Sequence, residues 1–267
     1  MTSPPVPGWR TLRKPVLGAA GLVGFLVVWQ LIPMLGLVER EYLPYATDVG
    51  ARLGHELVDL AFWRRLGLTL QAWAIGLAIA SAAALVLGAV VGLVPFLRRA
   101  THTTVEFLRP IPSVAIVPIA VIIQGISIEA ALIIIVYASF WQMFVQVLYG
   151  VADVDVVARD TARSFGLTRA ERLARVVLPT ALPYVMTGLR LAASVALILA
   201  ITAEMVIGNP GLGTLIMLSR STPGDSAGLY AFVVVAGMLG VIINTIFRII
   251  ERRALHWHQS VRGEEVL

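Results

Sequence analysis

The chain contains no cysteine, so disulfides, thiolate nucleophiles and cysteine metal sites are excluded at once. Lysine is almost as scarce: Lys14 is the only one in the sequence. A Walker A phosphate loop needs a glycine-rich turn ending in Lys-Ser or Lys-Thr, and Lys14 is followed by Pro15. The chain therefore cannot cradle a nucleotide in that way. Charge of either sign is thin, at 14% of residues, where a soluble domain carries about 25%. No segment is long and polar enough to build a separate soluble core, which leaves one domain. Chemistry-bearing constellations are missing too. His55, Glu56 and Asp59 lack HExxH spacing and read as a solvated short helix, and His256-x-His258 has no further ligands. With no Ser/His/Asp arrangement and no paired intramembrane carboxylates, the chain reads as a non-enzyme without a metal site.

What is abundant is apolar surface. Hydrophobic residues make up 58% and mean hydropathy is +0.85, which places the chain among all-α, polytopic membrane proteins. Six apolar runs predict six transmembrane helices: Val16 to about Val38, Leu66–Leu97, Phe107–Gln124, Ala130–Gly150, Tyr184–Ile207 and Leu229–Ile250. The first run is too long for the core of a signal peptide and no Ala-x-Ala follows it, so it is expected to stay as a helix. Residues 1–15 are expected to form a disordered basic tail, 16–253 a single transmembrane domain and 254–267 a second tail. Trp63 with Arg64-Arg65 reads as an interfacial belt, and Arg98, Arg99 and His102 as a basic loop closing the second span. Gly88-x-x-x-Gly92 suits close helix packing in lipid. Pro110, Pro112 and Pro118 fall in the third span, which either merely kinks or lines a polar path.

The basic residues are unevenly shared. With six spans, Arg10, Arg13, Lys14, Arg98, Arg99, Arg109, Arg159, Arg163, Arg169, Arg172, Arg175, Arg190, Arg248, Arg252, Arg253 and Arg262 share the side of the termini. Arg40, Arg52, Arg64, Arg65 and Arg220 fall opposite. The positive-inside rule makes both termini cytoplasmic. It also accounts for the net charge of +5 by the charge of cytoplasmic loops, with no nucleic acid as partner.

The longest regularly charged stretch is Asp153 to Pro183, DVDVVARDTARSFGLTRAERLARVVLPTALP. Its arginines recur at helical spacing, and Val156, Val157, Leu167, Leu173, Val176 and Val177 give each half an apolar side. Gly166 interrupts the middle, and Pro179 and Pro183 are expected to close the far end. Two short helices meeting near Gly166 outside the bilayer are predicted. On residues alone, the arginines serve either as membrane anchors or as the rim of a docking surface.

This stretch resembles the cytoplasmic EAA…G…LP loop of bacterial ABC importer permeases. Asp160-Thr161-Ala162 stands where the family has Glu-Ala-Ala, Gly166 on its glycine and Leu178-Pro179 on its Leu-Pro; Thr161 departs from the small apolar residue expected. Arg109-Pro110-Ile111-Pro112, Ala115 to Pro118, Gly125, Glu129, Gly188-Leu189-Arg190, Ala203-Glu204-Met205 and Gly211-Leu212-Gly213 are similar to the nitrate/sulfonate/taurine type. The resemblance covers roughly residues 40–253. It implies a type I importer core of five helices plus an N-terminal helix, with a coupling loop at 153–180 gripped by a partner ATPase. Asp160, Thr161, Ala162, Arg163, Gly166, Leu167, Arg169, Leu173, Leu178 and Pro179 would carry that contact. It further implies two ATPase subunits holding ATP and Mg, a second permease copy forming a homodimer, an extracytoplasmic substrate-binding protein and a bacterial inner-membrane location.

For the path and its gate the candidates are Gln124, Gln142, Gln146, Glu204, Met205, Gly211 and Gly213. The glutamines and Asn244 serve equally well as interhelical hydrogen-bond glue. An ionisable group within a span is by default a functional hypothesis. Counting along the helix at about 1.5 Å per residue, however, puts Glu204 near the outer surface, where it is expected to be hydrated. Two rivals stand beside the importer reading: a secondary transporter or channel independent of ATP, and a membrane scaffold that recruits a soluble partner.

Overall fold

In the computed structural model, residues 9–256 are described, and they are helical without a strand. In chain order the helices are α1 (Trp9–Met34), α2 (Ala46–Glu56), α3 (Leu60–Leu93), α4 (Pro95–Leu108), α5 (Val117–Gln124), α6 (Ile128–Ala152), α7 (Val156–Ser164), α8 (Arg169–Arg172), α9 (Leu178–Ile207), α10 (Leu212–Ser221) and α11 (Ser226–Ala254). A 3₁₀ turn, Ser113–Ile116, precedes α5, and a π turn, Leu173–Val177, joins α8 to α9. Five unbroken stretches are long and apolar enough to cross a bilayer: Val16–Met34, Leu60–Leu93, Ile128–Ala152, Arg169–Ile207 and Ser226–Ala254. A sixth candidate is broken: Pro95–Leu108 and Ser113–Gln124 are bent by 82° at their junction.

Three glycines decide whether that broken pair crosses. A Cβ on Gly76 would stand 2.5 Å from Ile135 Cγ2, one on Gly88 2.8 Å from Val147 Cγ1, and one on Gly92 3.0 Å from Val151 Cβ. The partner numbers rise together along the chain, so α3 and α6 run in the same direction. Two parallel spans require the chain between them to return across the membrane, and α4–α5 is the only segment available to do it. The total is therefore six crossings. Each close approach exists because glycine has no side chain, and it places the backbone of α3 against β-branched residues of α6. Without water between helices, such dispersion contacts are what hold a bundle together. α6 and α9 pack in the opposite sense: Gly150 lies against Ala181 and Gly188 against Gln146.

α6 is the centre of the bundle. Half of its apolar window is buried, against 6% for α1. Ile134, Ile135, Met143 and Ser139 of α6 are fully enclosed, as are Ala192, Ala193, Ala196 and Ala200 of α9. The Trp73 indole of α3 donates to the Ala193 carbonyl at 2.9 Å, and Tyr137 of α6 donates to the Leu108 carbonyl at 2.6 Å. The second bond satisfies one of the carbonyls exposed where the prolines stop α4.

Residues 9–60 with 215–234 form a smaller unit. Within it Trp29 donates to the Pro44 carbonyl at 3.0 Å and meets the Tyr230 ring at 5.8 Å with the planes tilted by 52°, and the Tyr230 hydroxyl reaches the Tyr42 carbonyl at 2.8 Å. Arg52 pairs with Glu56 at 3.0 Å and approaches Asp225 at 3.8 Å.

Several boundaries differ from those read in the sequence. α3 stops at Leu93 instead of Leu97 because Pro95 opens a new helix at its first turn. Arg98, Arg99 and His102 consequently lie on α4 and not in a loop. The third span is two helices at a sharp angle, since Pro110 and Pro112 in succession remove the backbone donors that would continue α4. α1 begins at Trp9, within the expected tail, and residues 1–8 lie outside the described residues, as do 257–267 of the second tail. The last span starts at Ser226, three residues before the apolar run.

Candidate functional site

The corner between α7 and α8 is built from short-range chemistry. Asp155 caps α7 by accepting from Val157 N at 2.8 Å. At the other end Gly166 N donates to Arg163 O at 3.0 Å and Leu167 N to Ala162 O at 3.1 Å, the paired bonds of a Schellman ending. That ending requires left-handed backbone, and Gly166 supplies it with φ of 76°. Thr168 then starts α8. Its hydroxyl oxygen accepts from Glu171 N at 3.3 Å, while Glu171 Oε2 accepts from Thr168 N at 2.9 Å, a reciprocal capping box. One helix ends and the next begins within Phe165–Thr168, with the backbone tied on both sides. The corner is rigid.

Beyond it the expected second helix does not stop. Pro179 sits in the first turn of α9 and Pro183 lies inside it, so neither closes the segment. The π turn accounts for this. Pro179 has no N–H for the carbonyl four residues back, and the wider turn just before it bonds Leu178 N to Leu173 O. α8 is thus the leading end of a continuous 39-residue helical stretch that crosses the membrane, and displacement of the corner would move α9 with it.

The exposed apolar groups here are Phe165 (79%), Val157 (69%), Val156 (68%) and Leu178 (56%). Leu167 is half-buried and Leu173 is 37% exposed. Phe165, which the sequence reading passed over, is therefore the most prominent apolar knob, and Leu167 is less exposed than it. Ala162 is buried, whereas Asp160, Thr161, Arg163, Arg169 and Pro179 are exposed around the corner. The signal for the capping box was legible as Thr168-x-x-Glu171.

The second site is at the far end of α9. Glu204 is 3% exposed, so the hydrated interfacial position expected for it is wrong. The Gly208–Gly213 segment folds back over it instead of extending away. Glu204 Oε2 accepts from Gly213 N at 2.8 Å and from the Thr69 hydroxyl of α3 at 3.0 Å. Thr69 Oγ1 in turn accepts from Leu212 N at 2.9 Å. A Cβ on Gly211 would lie 2.1 Å from Glu204 Cδ, and one on Gly213 2.3 Å from the Ile201 carbonyl. Both glycines are needed for the loop to close this tightly. Asn209 extends the lock by donating to the Ser127 carbonyl at the start of α6. Glu204, Gly211 and Gly213 thus come together, and Met205 next to them is half-buried. Thr69 was missed because 135 residues separate it from Glu204 and a lone threonine carries no signal.

The glutamines do not join this cluster. Gln124 is exposed at the end of α5. Gln146 packs its Cβ against Gly188, the structural role. Gln142 lines a cleft of about 520 Å³ with Arg98, Arg109 and Tyr149. Among the described residues no group of three His, Asp or Glu side chains could hold a metal ion.

Six apolar crossings with a rigid, charged corner continuous with one of them define a polytopic membrane transport subunit. Residues 76–256 match the family described as binding-protein-dependent transport system inner membrane component, and the chain belongs to this family. It is the membrane-spanning permease subunit of an ABC importer, a multi-pass protein of the inner membrane. Among curated proteins it is 28% identical to the taurine transport system permease protein of Escherichia coli (strain K12), over 95% of this chain and 94% of that protein. It is 26% identical to the nitrate import permease protein of Leptolyngbya laminosa, over 92% and 90%. Solved structures share the fold. An inward-facing methionine ABC transporter matches with a TM-score of 0.64 at 18% identity over 72% of this chain and 95% of that one. A bacterial importer of the acidic polysaccharide alginate matches with a TM-score of 0.62 at 17% identity over 92% and 98%.

Proposed function

We propose that this permease works as a homodimer carrying a small solute, with sulfonates, taurine, nitrate or a related organic compound as the candidate class. The relatives named for taurine and nitrate import support that class. One corner per chain can engage one ATPase, so two ATPases call for two copies. The chain itself does no chemistry: ATP and Mg belong to the ATPases, and an extracytoplasmic binding protein delivers the solute. Both termini and the corner face the cytoplasm, in keeping with the arginine bias.

The observation that carries the reading is the continuity of the corner with α9. Phe165, Val156 and Val157 enter a cleft on the ATPase, with Asp160, Arg163 and Arg169 at the rim. ATP-driven approach of the two ATPases draws the two corners together, and each α9 swings as a lever to open the cavity outward. Hydrolysis resets it. The Glu204 lock is part of the far gate, where Gly211 and Gly213 let the loop close over the carboxylate.

The test is co-purification of the tagged permease with its ATPase and uptake by reconstituted vesicles. Phe165→Asp is expected to lose both. A variant that kept the ATPase and full uptake would remove the corner from the mechanism. Uptake without nucleotide would favour the ATP-independent transporter.

A further inference from the structure

The parallel run of α3 and α6 brings their last turns to the same edge of the bilayer, the edge from which the α7–α8 corner projects. Between them lies a crevice of about 540 Å³ that the importer mechanism does not use. Its wall carries Arg98 and Arg99 of α4, His102 one turn on, and Arg159 of α7. No carboxylate lines it. Neither Arg98 nor Arg99 has an ion-pair partner among the described residues. The acids close by are occupied: Glu106 lies 3.5 Å from His102, Asp155 caps α7, and Asp153 hydrogen-bonds Tyr184. Arg159 reaches only the Val151 carbonyl, at 3.5 Å.

We infer that this crevice binds the phosphate headgroup of an anionic glycerophospholipid. Three guanidinium groups from two helices present forked donors to a site at the level of lipid headgroups, the arrangement by which basic pockets between membrane helices hold anionic lipids. The rim selects a lipid over a dissolved anion. Phe96 is 76% exposed, Leu93 43% and Val94 40%, and they give acyl chains an apolar surface that free phosphate would leave in water. Because Arg159 stands on α7, a bound lipid ties the coupling corner to the leaflet.

The experiment is native mass spectrometry of the purified full-length chain in neutral detergent, titrated with dioleoyl phosphatidylglycerol or dioleoyl phosphatidylcholine. Phosphatidylglycerol is expected to be retained in preference. Each arginine near an anionic headgroup contributes about fivefold, so R98Q/R99Q weakens retention roughly 30-fold. Arg159→Gln weakens it about fivefold and supplies the answer if the double variant fails to fold. Arg220→Gln, on α10 and outside the residues that line the crevice, leaves retention unchanged. The proposal is overturned if R98Q/R99Q binds like the parent, or if Arg220→Gln loses as much. It is also overturned if millimolar inorganic phosphate displaces the lipid, which would make the ligand a soluble anion.

Discussion

Glu204 of α9 and Gly213 of α10 are joined by a 2.8 Å hydrogen bond from backbone N–H to carboxylate, in a site with room for no additional atom. A buried acceptor facing two donors is costly to remove from one side only. Glu204→Ala leaves the Gly213 N–H unsatisfied, a cost of about 1–3 kcal/mol, while the Thr69 hydroxyl keeps the Arg65 carbonyl at 3.3 Å. Thermal unfolding in detergent is expected to shift down, and Thr69→Val to shift it down as well, since it takes a donor from Glu204 and the acceptor from Leu212 N. Gly211→Ala forces a methyl into the carboxylate and costs about 1–3 kcal/mol. If Gly211→Ala unfolds at the parent temperature, the lock is looser than these contacts require.

The corner gives a second prediction. Alanine at position 166 must adopt left-handed backbone, a cost of about 1–2 kcal/mol, and Thr168→Ala removes the cap of α8, about 1 kcal/mol. Neither change touches the apolar knob. Both are expected to weaken coupling more than binding: the ATPase still co-purifies, but uptake per ATP hydrolysed falls. Phe165→Asp acts the other way, through loss of the ATPase itself. An unchanged uptake-to-hydrolysis ratio in Gly166→Ala and Thr168→Ala would show that the corner need not be stiff.

How much of this was legible in the sequence follows the range of the interactions. Local signals came through in the six apolar runs and the bend at Gly166, while the capping pair Thr168 and Glu171 went unread although its spacing was visible. Pro179 misled because proline was taken as a stop, while a π turn over 173–177 lets the helix pass. Glu204 misled for a different reason. Counting along one helix gives a distance from its start and says nothing of a loop folding back. Nor could any local pattern pair it with Thr69, 135 residues away. Gly88 and Gly92 signalled close packing without naming the partner; Val147 and Val151 emerged only from the structure.

That partnership is itself testable. Gly88→Ala places a Cβ 2.8 Å from Val147 Cγ1, and relief requires the helices to part, at a cost of about 1–3 kcal/mol. Val147→Ala alone leaves a small void. Together the two changes add one methyl and remove two, which takes away the 2.8 Å contact with Cγ1 although the Cβ at 147 stays 2.9 Å away, so the double variant is expected to be more stable than the sum of the singles implies. A thermal-unfolding double-mutant cycle measures this coupling, which is expected at about 0.5–3 kcal/mol for residues in contact. Additive effects would mean that α3 and α6 are not in the register described, and the argument for parallel spans would fall with it.

Sidedness can be read directly, because the chain has no native cysteine and every introduced thiol reports alone. Ser164 closes α7 and Ser221 closes α10, and both are exposed. They are separated by one crossing, the Arg169–Ile207 stretch. A membrane-impermeant maleimide is therefore expected to label Ser221→Cys on intact cells with a stripped outer membrane, and Ser164→Cys only in inverted vesicles. Labelling of both from one side would break the assignment of Arg169–Ile207 as a span. Labelling in the reverse sense would keep the fold but turn the arginine-rich corner outward, beyond the reach of an ATPase that consumes cytoplasmic ATP.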